Sequence, residues 1–578
     1  MLVEMNRSQA SAKVAASVLM VLSLAACNQT VERRPATAAD LVLVGGKIVT
    51  VDQAKPEVEA LAAKAGFITA LGTRADVESY IGPDTEVIDL AGALAVPGFI
   101  EGHGHFLMLG DFQIQLDLTT ADTWQEIVDQ VAQAAARAEP GEWVRGFGWH
   151  QEKWSATPQP QTEGFPVHTS LSAVSPDNPV ILTHASGHGL FANAKAMELS
   201  GVDRMTADPP GGEIVRDASG NPIGFFSETA MRPLRAARSA AGSVPESELR
   251  KMAKLASDGC LAKGVTSFQD AGSSFEDVEF LHSLAREGAL GVRLWMMIRD
   301  SNEALAEKLA DAKTRAQGDS YFAVGGIKVT VDGALGSRGA WMLEPYSDSP
   351  ESTGLNLVSI EQTRKTAELA IEHGVQLCIH ATGDRANREV LDLYEQTFAA
   401  HPGEQDLRWR IEHAQHLHPA DIPRFGALGV IASMQSVHCT SDGPWVPDRL
   451  GDKRSEQGAY VWRKLLQSGA VVMNGTDAPI EDIDPIANFH AAVTRLMADG
   501  SQFYPDQRMS RMEALKSATL DAAYGAFEEH LKGSLEVGKL ADVTVLSKDI
   551  LTVDEAEIPT AEVVYTIVGG EVAYRADR

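Results

Sequence analysis

Eight short apolar runs recur between residues 94 and 477, and amphipathic stretches separate most of them. The runs are LAVPGFIEGHGH (94–105), GVTSFQD (264–270), GVRLWMMIR (291–299), VGGIKVTVD (324–332), VQLCIHA (375–381), RWRIEH (408–413), GVIASMQ (429–435) and AVVMNGTD (470–477). Short runs of this kind read as strands buried in a parallel sheet. Parallel neighbours need crossovers, and IEQTRKTAELAIEHG (360–374) and ANREVLDLYEQTFAA (386–400) have the helical period that a crossover requires. Eight such units predict an α/β fold, a (β/α)8 TIM-type barrel. The connection from residue 105 to residue 264 is far longer than a crossover, so an inserted subdomain is expected at about 110–245, after the first strand.

The two ends of the chain read differently. LVLVGGKIVTV (41–51) and VVYTIVGGEVAY (563–574) both place Gly-Gly between apolar runs, which is a hairpin signal. GFITALG (66–72), TEVIDLAG (85–92) and ADVTVLS (541–547) continue that β-rich style. Chain termini often meet in space, so residues 40–93 and 535–578 are expected to form one small β-sandwich beside a barrel spanning 94–534.

The first 27 residues resemble a bacterial lipoprotein signal peptide. Arg7 and Lys13 precede the apolar run Val14–Ala26, which is too short to span a bilayer easily and ends in Leu24-Ala25-Ala26-Cys27. The resemblance implies an exported protein, lipid-anchored through Cys27 and facing the periplasm or cell exterior, with 28–39 as a flexible tether. The other three cysteines, Cys260, Cys378 and Cys439, form no C-x-x-C pair, and buried free thiols are expected for Cys260 and Cys378. A formal net charge of −29 with no local basic stretch argues against nucleic acid as a partner.

Active sites of such barrels gather at the C-terminal ends of the strands. There the runs carry His103 and His105, Lys328, His380, His413 and Asp477. Any one of these alone has a bland explanation, since a single histidine is often a hydrogen-bonded core imidazole. Nitrogen and oxygen ligands at several strand ends together point to a metal site. Burial among cations should lower the Lys328 ammonium, whose neutral amine could then take up CO₂ as a bridging carbamate.

VPGFIEGHGH, GGIKVTVDGALGSRGA, IHATGDRAN, RIEHAQ, NGTDAP and GSLEVGKLADVTVL together resemble the amidohydrolase superfamily, above all its branch of N-substituted formamide deformylases. The similarity runs from about residue 41 to 575. It implies one or two divalent ions, zinc being the usual one. By position, His103 and His105 match ligands of the more buried ion, Lys328 the bridging ligand, and His380 and His413 the ligands of the second ion. Asp477 matches the carboxylate that ligates metal and moves the proton.

The remaining positions stay open at this level. Trp143, Phe147, Trp149 and Trp154 form either the core of the insert or a wall over the barrel mouth, where Trp149 would touch substrate. Arg338 either grips a substrate carboxylate or faces solvent. His188 is either a substrate contact or a structural hydrogen-bonding group, and Gln435 is placed to line the site. Asp384 reads as a helix cap and Asp332-Gly333 as a turn. Glu412 should point away from His413, into the layer between barrel and helices. The expected activity is hydrolysis of a linear N-acyl or N-formyl amine. The alternatives are a cyclic amide, deamination of a heterocycle, or a non-catalytic exported binding protein. Replacing Cys27 by Ser should move the chain from the membrane fraction to the soluble fraction and remove incorporation of labelled palmitate.

Overall fold

The structure is a computed structural model that describes residues 37–242, 244–314, 320–404 and 406–577. The proposed signal peptide, Cys27 and most of the tether lie outside these residues. No helix among the described residues is long and apolar enough to cross a membrane.

All eight apolar runs form strands of one parallel sheet. We number them β1 (Phe99–Gly104), β2 (Val265–Ser273), β3 (Arg293–Ile298), β4 (Phe322–Thr330), β5 (Gln376–Ala381), β6 (Arg410–His413), β7 (Ile431–Met434) and β8 (Val472–Asn474). They pair in sequence order from β1 to β8. The last strand meets the first just beyond its end, where Asp477 N–H donates to His103 O at 2.8 Å and His105 N–H donates to Ala478 O at 2.7 Å.

Side chains that cross the interior show the same closure. Arg410 on β6 stacks over Trp295 of β3, donates to Gln269 Oε1 of β2, and contacts the sulfurs of Met297, Cys378 and Met473. One side chain reaches strands β2, β3, β5 and β8 from β6 only through the inside of a barrel. Its charge is met by Glu412, two residues on and therefore on the same face of the strand, with Nε 2.9 Å from Oε1.

The first run holds two strands rather than one. Leu94–Pro97 pairs antiparallel with Val543–Leu546, and the chain then turns at Gly98 into β1. A Cβ on Gly98 would lie 2.2 Å from Thr266 Oγ1, so only glycine lets the chain pass there. The termini share a six-stranded sheet, and a four-stranded sheet packs against it through Leu43, Ile68, Ile88, Val543 and Ile567. This assembly is bolted to the base of the barrel. Asp542 forms a buried ion pair with Arg293 at 2.9 Å, and Thr544 Oγ1 donates to Gly264 O at 2.6 Å.

The two Gly-Gly pairs behave differently. Gly569 and Gly570, with φ of 58° and 76°, turn a hairpin between Val563–Val568 and Glu571–Arg575, as a type I′ turn requires. Gly45 and Gly46 do not make the expected hairpin. Leu41–Val44 lies in the four-stranded sheet and Lys47–Val49 in the six-stranded one, so this pair carries the chain between sheets.

The insert forms a six-stranded sheet of its own, covered by helices such as Trp124–Ala135 and Arg232–Ala240. Trp149, Trp154, Phe165, Phe191 and Phe225 pack into its core, and Trp149 Nε1 donates to Leu182 O at 3.0 Å. The aromatic cluster is thus largely the insert's own core. Cys260, Cys378 and Cys439 are buried free thiols.

Removing one partner of a buried ion pair leaves an uncompensated charge, which costs about 3–5 kcal/mol. Arg410→Met should therefore destabilise the fold by roughly that amount in denaturant unfolding.

Candidate metal centre

The six residues singled out at the strand ends meet at one end of the barrel. His103 Nε2 lies 3.3 Å from Lys328 Nζ and 3.6 Å from Asp477 Oδ1. His105 Nε2 is 3.2 Å from the same Asp477 oxygen, and His413 Nδ1 is 4.0 Å from Asp477 Oδ2. The His413 ring centre is 4.7 Å from that of His103 and 4.4 Å from that of His380. Donor atoms of His103, His413 and Asp477 all fall within 4.8 Å of one another, and all three residues are buried.

Two of these residues reach the centre through unusual backbone. His413 has φ of 75° and Asp477 has φ of 61°. Neither is glycine, so each conformation is strained and has to be held by its surroundings. At His413 the strand alternation ends. This explains why Glu412 faces the barrel interior and not the helix layer expected from strand period alone. Its carboxylate takes Nδ1 of His103, with Arg410 on its other oxygen. A carboxylate on Nδ1 fixes the tautomer and leaves the Nε2 lone pair directed at the centre.

Gln435 acts in the same way on another ring. Its Oε1 accepts from Nδ1 of His413 at 2.8 Å, while its amide donates to Ser433 O. Gln435 therefore positions a histidine instead of lining the site. Asp332, read from sequence as a turn residue, is fully buried and accepts from the backbone N–H groups of Thr382, Gly383 and Trp341. It fixes the turn after β5 and lies 3.5 Å from His380 Nε2. Glu101 accepts from Thr476 N–H and Oγ1 and so ties β1 to the end of β8.

The electrostatics suit a cation. Burial pushes His413 down to about 4 and holds His103 and His380 well below the usual imidazole range, so all three are neutral imidazoles near pH 7. Burial alone would raise the Asp477 carboxyl. The imidazoles of His105, His103 and His413 close around it outweigh burial and hold the group ionised. Burial lowers the Lys328 ammonium to about 8, against the pull of Glu412 and Asp477. Asp477 Oδ1 is nonetheless a buried oxygen with no well-formed hydrogen bond. An orphaned carboxylate oxygen facing the lone-pair sides of neutral imidazoles fits a divalent ion.

The centre lies between two cavities. One of about 650 Å³ opens past His105, Lys328 and Phe147 and is bounded by the insert. The other, about 80 Å³, is lined by His150, Leu335, His438 and Trp445. His188, His380, His413 and Asp477 border both. His188 thus reaches the site, and Glu228 holds its Nδ1 at 2.9 Å. Trp149 and Arg338 line neither cavity. Trp149 is sealed in the insert core, and the Arg338 guanidinium is engaged by Asp348 at 2.9 Å. Asp384 is not the cap of its helix. Gly383 holds that position, and Asp384 accepts from Leu343 N–H.

Residues 86–574 match the amidohydrolase family. The chain belongs to that family. It is 33% identical to Protein LONG AFTER FAR-RED 3 of Arabidopsis thaliana, over 93% of this chain and 92% of that one. It is 27% identical to the N-substituted formamide deformylase of Arthrobacter pascens, over 93% and 98%. An uncharacterised metal-dependent hydrolase of Pyrococcus horikoshii OT3 has the same fold, with a TM-score of 0.72 and 27% identity, covering 89% of this chain and 99% of that chain. The chain is a metal-dependent hydrolase acting on carbon–nitrogen bonds. A divalent cation suits the side chains gathered at its barrel mouth.

Glu412→Gln should weaken metal binding by about 10- to 100-fold, the usual effect of losing a group that orients a ligand. Metal content measured after dialysis against graded chelator checks this.

Proposed function

We propose that this amidohydrolase is an exported enzyme that hydrolyses a linear N-formyl or small N-acyl amine. His103, His105, Lys328, His380, His413 and Asp477 would hold one or two divalent ions, zinc being the usual choice, with Lys328 carboxylated where it bridges a pair. The ion supplies a water of lowered pKa and an electrophilic contact for the carbonyl. Asp477, ionised and buried, accepts the proton of the attacking water and returns it to the departing nitrogen. Glu412 and Gln435 keep two imidazoles in the tautomer that such a site needs.

One observation favours a small acyl group. The centre separates a cavity of about 80 Å³ from one of about 650 Å³. The smaller side suits a small acyl group such as formyl or acetyl better than a bulky one. The larger side takes the amine portion. The similarity to a deformylase agrees with this division. A cyclic amide or a heterocycle would have to lie across both spaces at once, and a non-catalytic binding protein would have no need of an ionised, strained Asp477. The two terminal sheets serve as the β-sandwich that closes the base of the barrel. Export rests on the likeness of residues 1–27 to a lipoprotein leader.

Amine formation from N-formyl, N-acetyl and N-butyryl derivatives of one amine tests the reading. The rate should fall steeply from formyl to butyryl, and equal rates would place the acyl group on the large side instead. Asp477→Asn should lower kcat by about 10² to 10⁴-fold while leaving the fold intact. Release of ammonia from amino-heterocycles, with no amine from the acyl series, would replace this reading with deamination.

A further inference from the structure

The larger cavity is lined by three arginines that form no ion pair among the described residues. Arg299 follows β3 directly, and its Cβ and that of Lys328 both come within 3.1 Å of where a Cβ on Gly272 would stand. The side chain therefore starts beside the metal centre. Arg232 and Arg235 lie in the first turn of the insert helix Arg232–Ala240. All three line the cavity.

Every carboxylate around that cavity is already engaged. Asp111 takes Arg145, and Glu228 takes His188. Asp270 accepts from Phe106 N–H, Gly272 N–H and Ser273 Oγ, while Asp277 takes Ser274 Oγ. Asp477 faces the imidazoles. Among the described residues, the side chains of Arg232 and Arg299 make no hydrogen bond or ion pair, and that of Arg235 bonds to the sulfur of Met231 at 3.7 Å.

The arrangement runs against stability. A helix start favours anions, yet this first turn holds two arginines, no acidic residue and no side-chain cap. Desolvation lowers both Arg235 and Arg299; Arg235 and Arg232 both repel Arg299, and Glu228, already held by His188, offsets this only in part. All three side chains are exposed, and each lines the cavity. Three like charges held around one space call for an anion.

We infer that the amide substrate carries an oxyanion of the carboxylate class on its amine portion, and that Arg232, Arg235 and Arg299 receive it. This rests on the reading above, in which the amine portion occupies the larger cavity. A carboxylate there takes paired hydrogen bonds from a guanidinium fork, and its distance from the arginines sets how the scissile carbonyl sits over the centre.

Equilibrium titration of the purified full-length protein tests this with N-acetylphenylalanine and N-acetyl-2-phenylethylamine, which differ only by the carboxylate. The acid should bind at least about tenfold more tightly at low ionic strength. That ratio should fall towards one in Arg299→Gln and in Arg235→Gln, while Arg235→Lys should retain part of it. Unchanged thermal unfolding of each variant shows that the fold is kept. Equal or weaker binding of the acid, or a ratio that survives in the triple Gln variant, overturns the assignment. If the arginine-dependent preference is found but neither amide is ever hydrolysed, the anion site stands and the proposed reaction fails.

Discussion

The centre depends on a chain of three buried side chains, Arg410, Glu412 and His103. Arg410 sits in the barrel interior among sulfurs and an indole, where a lone guanidinium would be prohibitively desolvated. Glu412 neutralises it and spends its second oxygen on the imidazole. The charge that stabilises the interior and the group that orients the first ligand are thus one residue. Barrel packing and ligand geometry cannot be varied separately at this point, because any loosening of Arg410 is transmitted to His103 through a single carboxylate.

Around that chain the strand ends are rigid in a specific way. Backbone bonds from Asp477 to His103 and from His105 to Ala478 lock the last strand to the first at the level of the ligands. Left-handed backbone at His413 and Asp477 turns two ligands inward where a regular strand would carry them past. Such conformations persist only where neighbouring structure over-determines them. Here Glu101 grips Thr476, Gln435 grips His413 and Asp332 organises the turn after His380.

The barrel was legible in the sequence because buried parallel strands leave an unmistakable run of apolar residues, and the six strand-end residues were legible because each ends or interrupts such a run. What failed did so where local pattern is silent. Strand alternation sent Glu412 outward, since nothing in RIEH announces that His413 leaves the strand. Gly45-Gly46 and Gly569-Gly570 are the same dipeptide in similar surroundings, and only the choice of partner strand distinguishes a crossing from a hairpin. Trp149 is as apolar as a pocket wall would be, but its indole N–H finds Leu182 inside the insert. Arg232, Arg235 and Arg299 could not be recognised at all, because two of them belong to a helix whose cavity-facing side is defined by a strand many residues away.

The strand Leu94–Pro97 leads through the single residue Gly98 into β1, and its partner is Val543–Leu546. The segment that aims His103 and His105 is therefore seated on a strand far away in sequence. During translation the histidines exist long before that strand, so the segment leading into the first barrel strand lacks its antiparallel ladder until Val543–Leu546 has been made. The aim of two side chains at the barrel mouth is thereby tied to a ladder formed by that distant strand.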